Sequence, residues 1–157
     1  MGKINAPEPI NSQHNIELFD CQKTTLNHWL KNRAQKNEEA GASRTYVIHQ
    51  DNRVIGYYCL STGSLLHEDA PKKIKKNMPN PIPIIILGRL AIDYQWQRKG
   101  LGKALLKDAL QRTLLASQHI GVRALLVHAL SEEAARFYEY HQFIMSPIDP
   151  MIWILPL

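Results

Sequence analysis

Hydrophobic positions along this chain change period several times, and each change marks an element. From about Ile4 to Phe19 no period is sustained, and Pro7 and Pro9 fit an extended lead-in. Leu26, Trp29, Leu30 and Ala34 then fall at i, i+3, i+4 and i+8, the spacing of an amphipathic helix. Thr24 or Thr25 can cap its start, Gly41 ends it, and Lys31, Arg33 and Lys36 occupy its other face. Thr45–His49 and Val54–Thr62 read as a hairpin turning across Asp51-Asn52-Arg53. A basic segment, Lys72-Lys73-Ile74-Lys75-Lys76, precedes Pro79-Asn80-Pro81-Ile82-Pro83, a rigid approach to the apolar strand Ile84–Asp93. After Gly102 the pattern becomes helical, with Leu105/Ala109/Thr113 and Leu106/Leu110/Leu114 on adjacent stripes suited to packing on a sheet. Val122–Val127 predicts a further strand, Ser131 caps a last helix, and Met151–Leu155 predicts a final strand. The expected architecture is α/β: one domain over residues 1–157, with a mixed sheet flanked by helices and no repeats.

Between the apolar strand and its following helix lies Gln97-Arg98-Lys99-Gly100-Leu101-Gly102. A glycine loop that opens a helix presents backbone N–H groups to an anion, and a side chain at Gly100 or Gly102 would keep the backbone from closing on phosphates. The spacing excludes two common nucleotide motifs. Gly102-Lys103 is followed by Ala104 rather than Ser or Thr, so no Walker-type loop exists. Leu105 stands where a Rossmann fingerprint needs a third glycine or alanine. A phosphorylated cofactor of another kind is expected here.

Composition narrows the partners. The 19 Lys and Arg exceed the 14 Asp and Glu, giving a formal net charge of +5. A phosphorylated cofactor needs only a small basic patch, so nucleic acid accounts better for the excess. Two cysteines without metal or redox spacing, and seven scattered histidines, lead us to expect no metal site and a reducing, cytoplasmic setting. No apolar run approaches the 18 or so residues of a membrane span. The start Met1-Gly2-Lys3-Ile4-Asn5-Ala6 shows neither a signal peptide nor a myristoylation pattern, which wants Ser or Thr at Ala6.

Gln97-x-x-Gly100-x-Gly102 resembles the acetyl-CoA pyrophosphate loop of the GNAT N-acetyltransferases. Ala134, Phe137, Tyr138 and Phe143 further resemble that family's A-x-x-F-Y-x-x-x-G-F helix, with Gln142 in place of the glycine. A residue without glycine's freedom is strained if that position is left-handed. The whole chain is similar to one GNAT branch, the toxins of type II toxin–antitoxin operons that acetylate aminoacyl-tRNA. The carrying segments include Ala6-Pro7-Glu8-Pro9, Gly41–Val47, Thr62-Gly63-Ser64, Met78–Pro83, Gly88–Asp93 and Ile120–Leu130.

This resemblance implies a GNAT fold: a mostly antiparallel central sheet, flanking helices, and a central strand splayed at the acetyl-CoA site. It also implies acetyl-CoA as co-substrate without a metal, aminoacyl-tRNA as acceptor, a homodimer, and a ribbon-helix-helix antitoxin through which alone DNA would be contacted. It assigns acetyl-CoA contacts to Leu90, Ala91, Ile92, Gln97, Arg98, Lys99, Gly100, Leu101, Gly102, Lys103, Ser131, Ala134 and Phe137, and the proton-donating role to Tyr138. Backbone N–H groups around Leu90–Ile92 would polarise the thioester carbonyl. Arg33, Lys36, Lys72, Lys73, Lys75 and Lys76 are candidate tRNA phosphate contacts, or simply solvated faces. Arg89 is either structural or faces the substrate amine.

No general base stands out. Asp93, Glu132 and Glu133 are nearest by position, but acidic residues at helix starts usually serve capping. A lysine amine, with pKa about 10.4, needs such a base, whereas an α-amine near about 8 has an appreciable neutral fraction. The chemistry therefore leans toward an α-amine. The alternatives are acetylation of protein or small-molecule amines, or a CoA-binding module without catalysis.

Overall fold

A computed structural model of the chain describes residues 3–157. Met1 and Gly2, on which part of the amino-terminal reading rests, lie outside the described residues. The backbone gathers into two compact units, one reaching Ser61 and resuming over Arg89–Ala109, the other formed by Thr62–Gly88 and Leu110–Leu157.

In the first unit, β1 (Glu8–Pro9) pairs antiparallel with β2 (Arg44–Gln50), which pairs antiparallel with the first part of β3 (Arg53–Leu65). Gln50 faces Arg53 in register, so the hairpin turn is Asp51-Asn52 alone, at φ 50° and 70°. Two left-handed residues make the mirror-image turn whose twist matches that of paired strands, and Asp and Asn tolerate it best after glycine. The expected single helix is three consecutive segments: α1 (Thr24–Trp29), a π-helical stretch (Leu30–Ala34) and α2 (Gln35–Ala40). Lys23, not Thr24 or Thr25, holds the N-cap position, and its side chain forms no cap. Gly41 closes α2 at φ 77°, the left-handed conformation glycine adopts without strain. Leu26, Leu30 and Ala34 are buried with Phe19, Val47, Val54, Tyr57 and Ala91 in the core of this unit.

The second unit contains α3 (Lys72–Lys75), the first part of β4 (Ile82–Ile92), β5 (Ala124–His128), α5 (Glu132–Tyr140), β6 (Ile144–Met145) and β7 (Ile152–Pro156). β4 and β5 run parallel, from Ile84 beside Ala124 to Leu87 beside Val127, and β4 continues beyond this register. β7 pairs antiparallel with both β5 and β6. Its core contains Leu65, Ala70, Ile74, Ile82, Ile84, Ala124 and Ile154. The order of the seven strands is β1-β2-β3-β4-β5-β7-β6.

α4 (Leu101–Ser117) follows the glycine loop. Its first stripe is wholly buried, Leu105, Ala109 and Thr113 alike, whereas Leu114 ends the second stripe 43% exposed. Among the described residues no helix is long and apolar enough to cross a membrane.

Candidate functional site

The first unit carries the expected cofactor loop. β4 ends at Ile92, and Asp93 caps a 3-10 turn, Tyr94–Trp96. The Asp93 side chain is fully buried, and both oxygens are committed: Oδ1 accepts from Gln95 N–H at 3.0 Å and Oδ2 from Asp20 N–H at 3.0 Å. Arg53 Nη2 lies 3.8 Å from Oδ2. The Tyr94 N–H donates to Asp20 C=O at 2.8 Å, so the lead-in and the loop are stitched by two bonds. Asp93 is thus a capping and anchoring group.

Gln97 is exposed, yet its side chain turns back on the strand. Its Nε2 donates to Ile92 C=O at 2.9 Å and fixes the end of β4. Arg98 (φ 63°) and Gly100 (φ 80°) both take left-handed backbone, and α4 begins at Leu101. Open space surrounds the position of a Cβ at Gly100, so conformation rather than crowding calls for glycine there. Gly102 sits in the first helical turn without that conformation. Arg98, Lys99, Gly100 and Lys103 are exposed, while Leu101 and Gly102 are half-buried. The unpaired N–H groups of a first helical turn, set among cations, suit an anion. Lys99 is steadied over the Trp96 ring at 5.6 Å. Upstream, Leu90 is half-buried and Ala91 and Ile92 are buried.

The second unit carries the helix with Tyr138. Ser131 caps α5, its Oγ accepting from Ala134 N–H at 3.1 Å, which ties up two residues expected to touch cofactor. Glu132 and Glu133 are exposed in the first turn, and Glu132 lies 4.0 Å from Arg136. Neither is set as a buried base. Ala135 and Tyr138 face inward. The Tyr138 ring meets Phe137 and Phe143 edge-on, at 5.2 and 5.3 Å between centroids. Burial pushes the Tyr138 phenol well above its ordinary pKa, so it is protonated at neutral pH. Among the described residues its hydroxyl has no hydrogen-bond partner and is left to act on something else. Gln142 takes φ 76°, confirming that the glycine position is left-handed; this turn lets Phe143 N–H reach Tyr138 C=O at 3.1 Å. Tyr140 is 78% exposed.

The basic candidates fall into separate groups. Arg33 and Lys36 are exposed in the first unit, with Arg33 donating to Asn37 at 3.0 Å. Lys72, Lys73, Lys75 and Lys76 surround the single turn of α3 in the second. Arg123 holds that turn through the Ile74 and Lys73 carbonyls, at 3.0 and 3.1 Å. Arg89 lies with its guanidinium carbon 5.2 Å from the Trp29 ring centroid.

Sequence spacing missed Asp20, Arg53 and Arg123, which act across long separations, and it missed one cluster. Glu8 Oε1 accepts from His14 Nε2 at 2.9 Å and His49 Nε2 at 2.7 Å. Three potential ligand atoms thus lie within 4.8 Å of one another, where no metal set was expected. The backbone argues for a clamp: Asn11 N–H donates to His14 Nδ1 and Asn52 N–H to His49 Nδ1. Each Nδ1 is therefore an acceptor and each Nε2 carries the proton given to Glu8. A metal at Nε2 would need the opposite tautomer, with Nδ1 donating. Both cysteines are buried free thiols.

Residues 41–145 match the acetyltransferase (GNAT) domain. Over 151 residues, 96% of this chain and 91% of the relative, the sequence is 43% identical to a tRNA-acetylating toxin of Mycobacterium tuberculosis. Among solved structures, AtaT complexed with acetyl-methionyl-tRNAfMet matches with a TM-score of 0.91 at 28% identity, covering 98% of this chain and 95% of that one. A tyrosine-to-phenylalanine mutant of the AtaT toxin, bound to the C-terminus of the antitoxin AtaR and acetyl-CoA, matches with a TM-score of 0.83 at 27% identity, covering 98% and 93%. Strand order, loop and sequence agree: this chain belongs to the GNAT family and is an acetyl-CoA-dependent acetyltransferase.

Proposed function

We propose that this enzyme is the toxin of a type II toxin–antitoxin pair and transfers acetyl from acetyl-CoA to the α-amine of aminoacyl-tRNA, halting translation in the cytoplasm. The observation that carries the reading is the 43% identity to a tRNA-acetylating toxin over nearly the whole of both chains. Residues 1–157 act as one acetyltransferase domain and pair as a homodimer, and a ribbon-helix-helix antitoxin neutralises it.

In this reading the Gly100 turn and the start of α4 receive the CoA pyrophosphate, with Arg98, Lys99 and Lys103 supplying positive charge. Backbone N–H groups of Leu90–Ile92 steady the thioester oxygen as the amine attacks the carbonyl carbon. The carbon–nitrogen bond forms, the carbon–sulfur bond breaks, and the leaving thiolate accepts a hydrogen bond from Tyr138. A phenol is a weaker acid than a thiol, so Tyr138 relays rather than loses a proton: sulfur takes its proton as the amine's proton replaces it. Arg33, Lys36 and Lys72–Lys76 meet tRNA phosphates, which position the acceptor stem without reading the amino acid.

The test is incubation of purified protein with labelled acetyl-CoA and total charged tRNA, beside deacylated tRNA and the Tyr138→Phe variant. Label on charged tRNA alone, lost in the variant, supports the substrate and the role of Tyr138. Thiol release with amine acceptors but no label on RNA leaves an acetyltransferase and overturns the tRNA reading.

A further inference from the structure

The segment proposed to receive the thioester, Leu90–Ile92, ends β4 and lies past Leu87, where the register with β5 stops. Its last peptide is bonded at both groups. Ile92 C=O accepts from Gln97 Nε2 at 2.9 Å, and Asp93 N–H donates to Ile55 C=O of β3 at 2.8 Å. The Ile92 side chain has a seat of its own, over the next residue of β3. A Cβ at Gly56 would stand 2.8 Å from Ile92 Cδ1, and 2.9 and 3.0 Å from Cγ1 and Cδ1 of Ile48. Carbon atoms in contact prefer about 3.5–4.0 Å. Gly56 is not left-handed, so crowding alone calls for glycine there.

Ile48 and Gly56 are register partners, so isoleucines from β2 and β4 close over a position that carries no side chain. An added methyl must displace one of them. β2 is held on its far side, where Val47 faces Glu8 of β1 and Gln50 bridges to Ile4. The end of β4 has left its β5 register, so β4 is the strand that gives.

We propose that Gly56 is a positioning residue for the acetyl thioester: its missing side chain seats Ile92 and so sets where the N–H groups of Leu90–Ile92 meet the carbonyl oxygen. The inference rests on the proposed placement of the thioester at that segment. Donors stabilise a developing oxyanion from positions held in advance, and a shift of about 1 Å can cost about 100-fold in rate. The fold supplies an internal comparison. Gly63, further along β3, is crowded by β4 in the same way, a Cβ there standing 2.5 Å from Ile86 Cδ1. Ile86, however, lies in the stretch paired with β5, opposite Leu126. Crowding at Gly63 strains the sheet away from the thioester segment.

The experiment measures kcat, the Kd for CoA and the melting temperature of the intact enzyme, Gly56→Ala, Ile92→Val, the double variant and Gly63→Ala. Acceptors are total charged tRNA and an amino-acid methyl ester. We expect Gly56→Ala to lower kcat about 100-fold, while the Kd for CoA, which lacks the acetyl group, stays within about twofold. Ile92→Val, which removes Cδ1 and loosens the seat, lowers kcat by about fivefold. Together the two changes restore the fit, so the double variant exceeds either single one. Gly63→Ala lowers the melting temperature at least as far as Gly56→Ala, with kcat kept within about twofold at 25 °C. Equal losses of kcat at Gly56 and Gly63, or no recovery in the double variant, make Gly56 a packing residue and overturn the inference. If Gly56→Ala does not fold, the double variant against Ile92→Val still decides, since the inference requires the double to be faster. Gln97→Met separates the premise from the inference. A fall in kcat there, with none in Gly56→Ala, keeps the thioester at the end of β4 and overturns the role of Gly56. If the intact enzyme acetylates the ester but not charged tRNA, the tRNA reading fails alone, and the ester rates still decide for Gly56.

Discussion

The proposed cofactor loop and the helix of Tyr138 fix their working groups in opposite ways. The loop is held by backbone hydrogen bonds to a buried carboxylate, and its own side chains, Arg98, Lys99 and Lys103, remain exposed. Tyr138 is held by apolar contact, its ring buried between Phe137 and Phe143 while its hydroxyl has no partner among the described residues. A loop offering N–H groups must fix its backbone; a residue offering one hydroxyl must fix its ring. Damage should therefore appear as lost folding in the first region and lost chemistry in the second.

The sharpest break is Asp93→Ala, which strands the N–H groups of Asp20 and Gln95 in a dry site. Urea unfolding should show a loss of about 3 kcal/mol, and calorimetry a weaker acetyl-CoA affinity. Tyr138→Phe should leave the unfolding midpoint nearly unchanged while kcat falls about 100-fold. A stability loss matching that of Asp93→Ala would erase the contrast.

Alkaline pH probes both regions at once. Burial raises the phenols of Tyr57 and Tyr138, so the folded state keeps both neutral while the unfolded chain ionises them near pH 10. Stability from these groups is intact below that pH and falls above it, by up to about 1.4 kcal/mol per pH unit for each. Absorbance titration should find Tyr57 and Tyr138 ionising only with unfolding. The smallest effect is a gain: Gln142→Gly relieves left-handed strain after α5 and should add about 1 kcal/mol in thermal melts, with kcat unchanged.

Much of this was legible in the chain because it is local. The Gly100 loop, the Ser131 cap and the stripe Leu105/Ala109/Thr113 follow from spacing along one element, and each lies where its pattern places it. The strained Gln142 was readable from a missing glycine. The rest is long-range or cooperative. Nothing near Asp93 announces that Asp20 N–H will reach it, or that Glu8 will gather His14 and His49. The two-residue strands β1 and β6 exist by pairing with β2 and β7 rather than by any pattern of their own. The π-helical stretch keeps helical spacing at Leu26, Leu30 and Ala34, so periodicity could not separate it from α1.

Arg123 gives the basic segment a property its composition does not. A four-residue helix has too few internal bonds to persist alone, yet the guanidinium ties down two of its carbonyls. Four lysines that would otherwise be a flexible tether become a fixed array. An anionic partner docking there meets charges whose ordering was completed during folding, so its association should be fast and carry little conformational penalty, and a single substitution at Arg123 would return that penalty without removing one lysine charge.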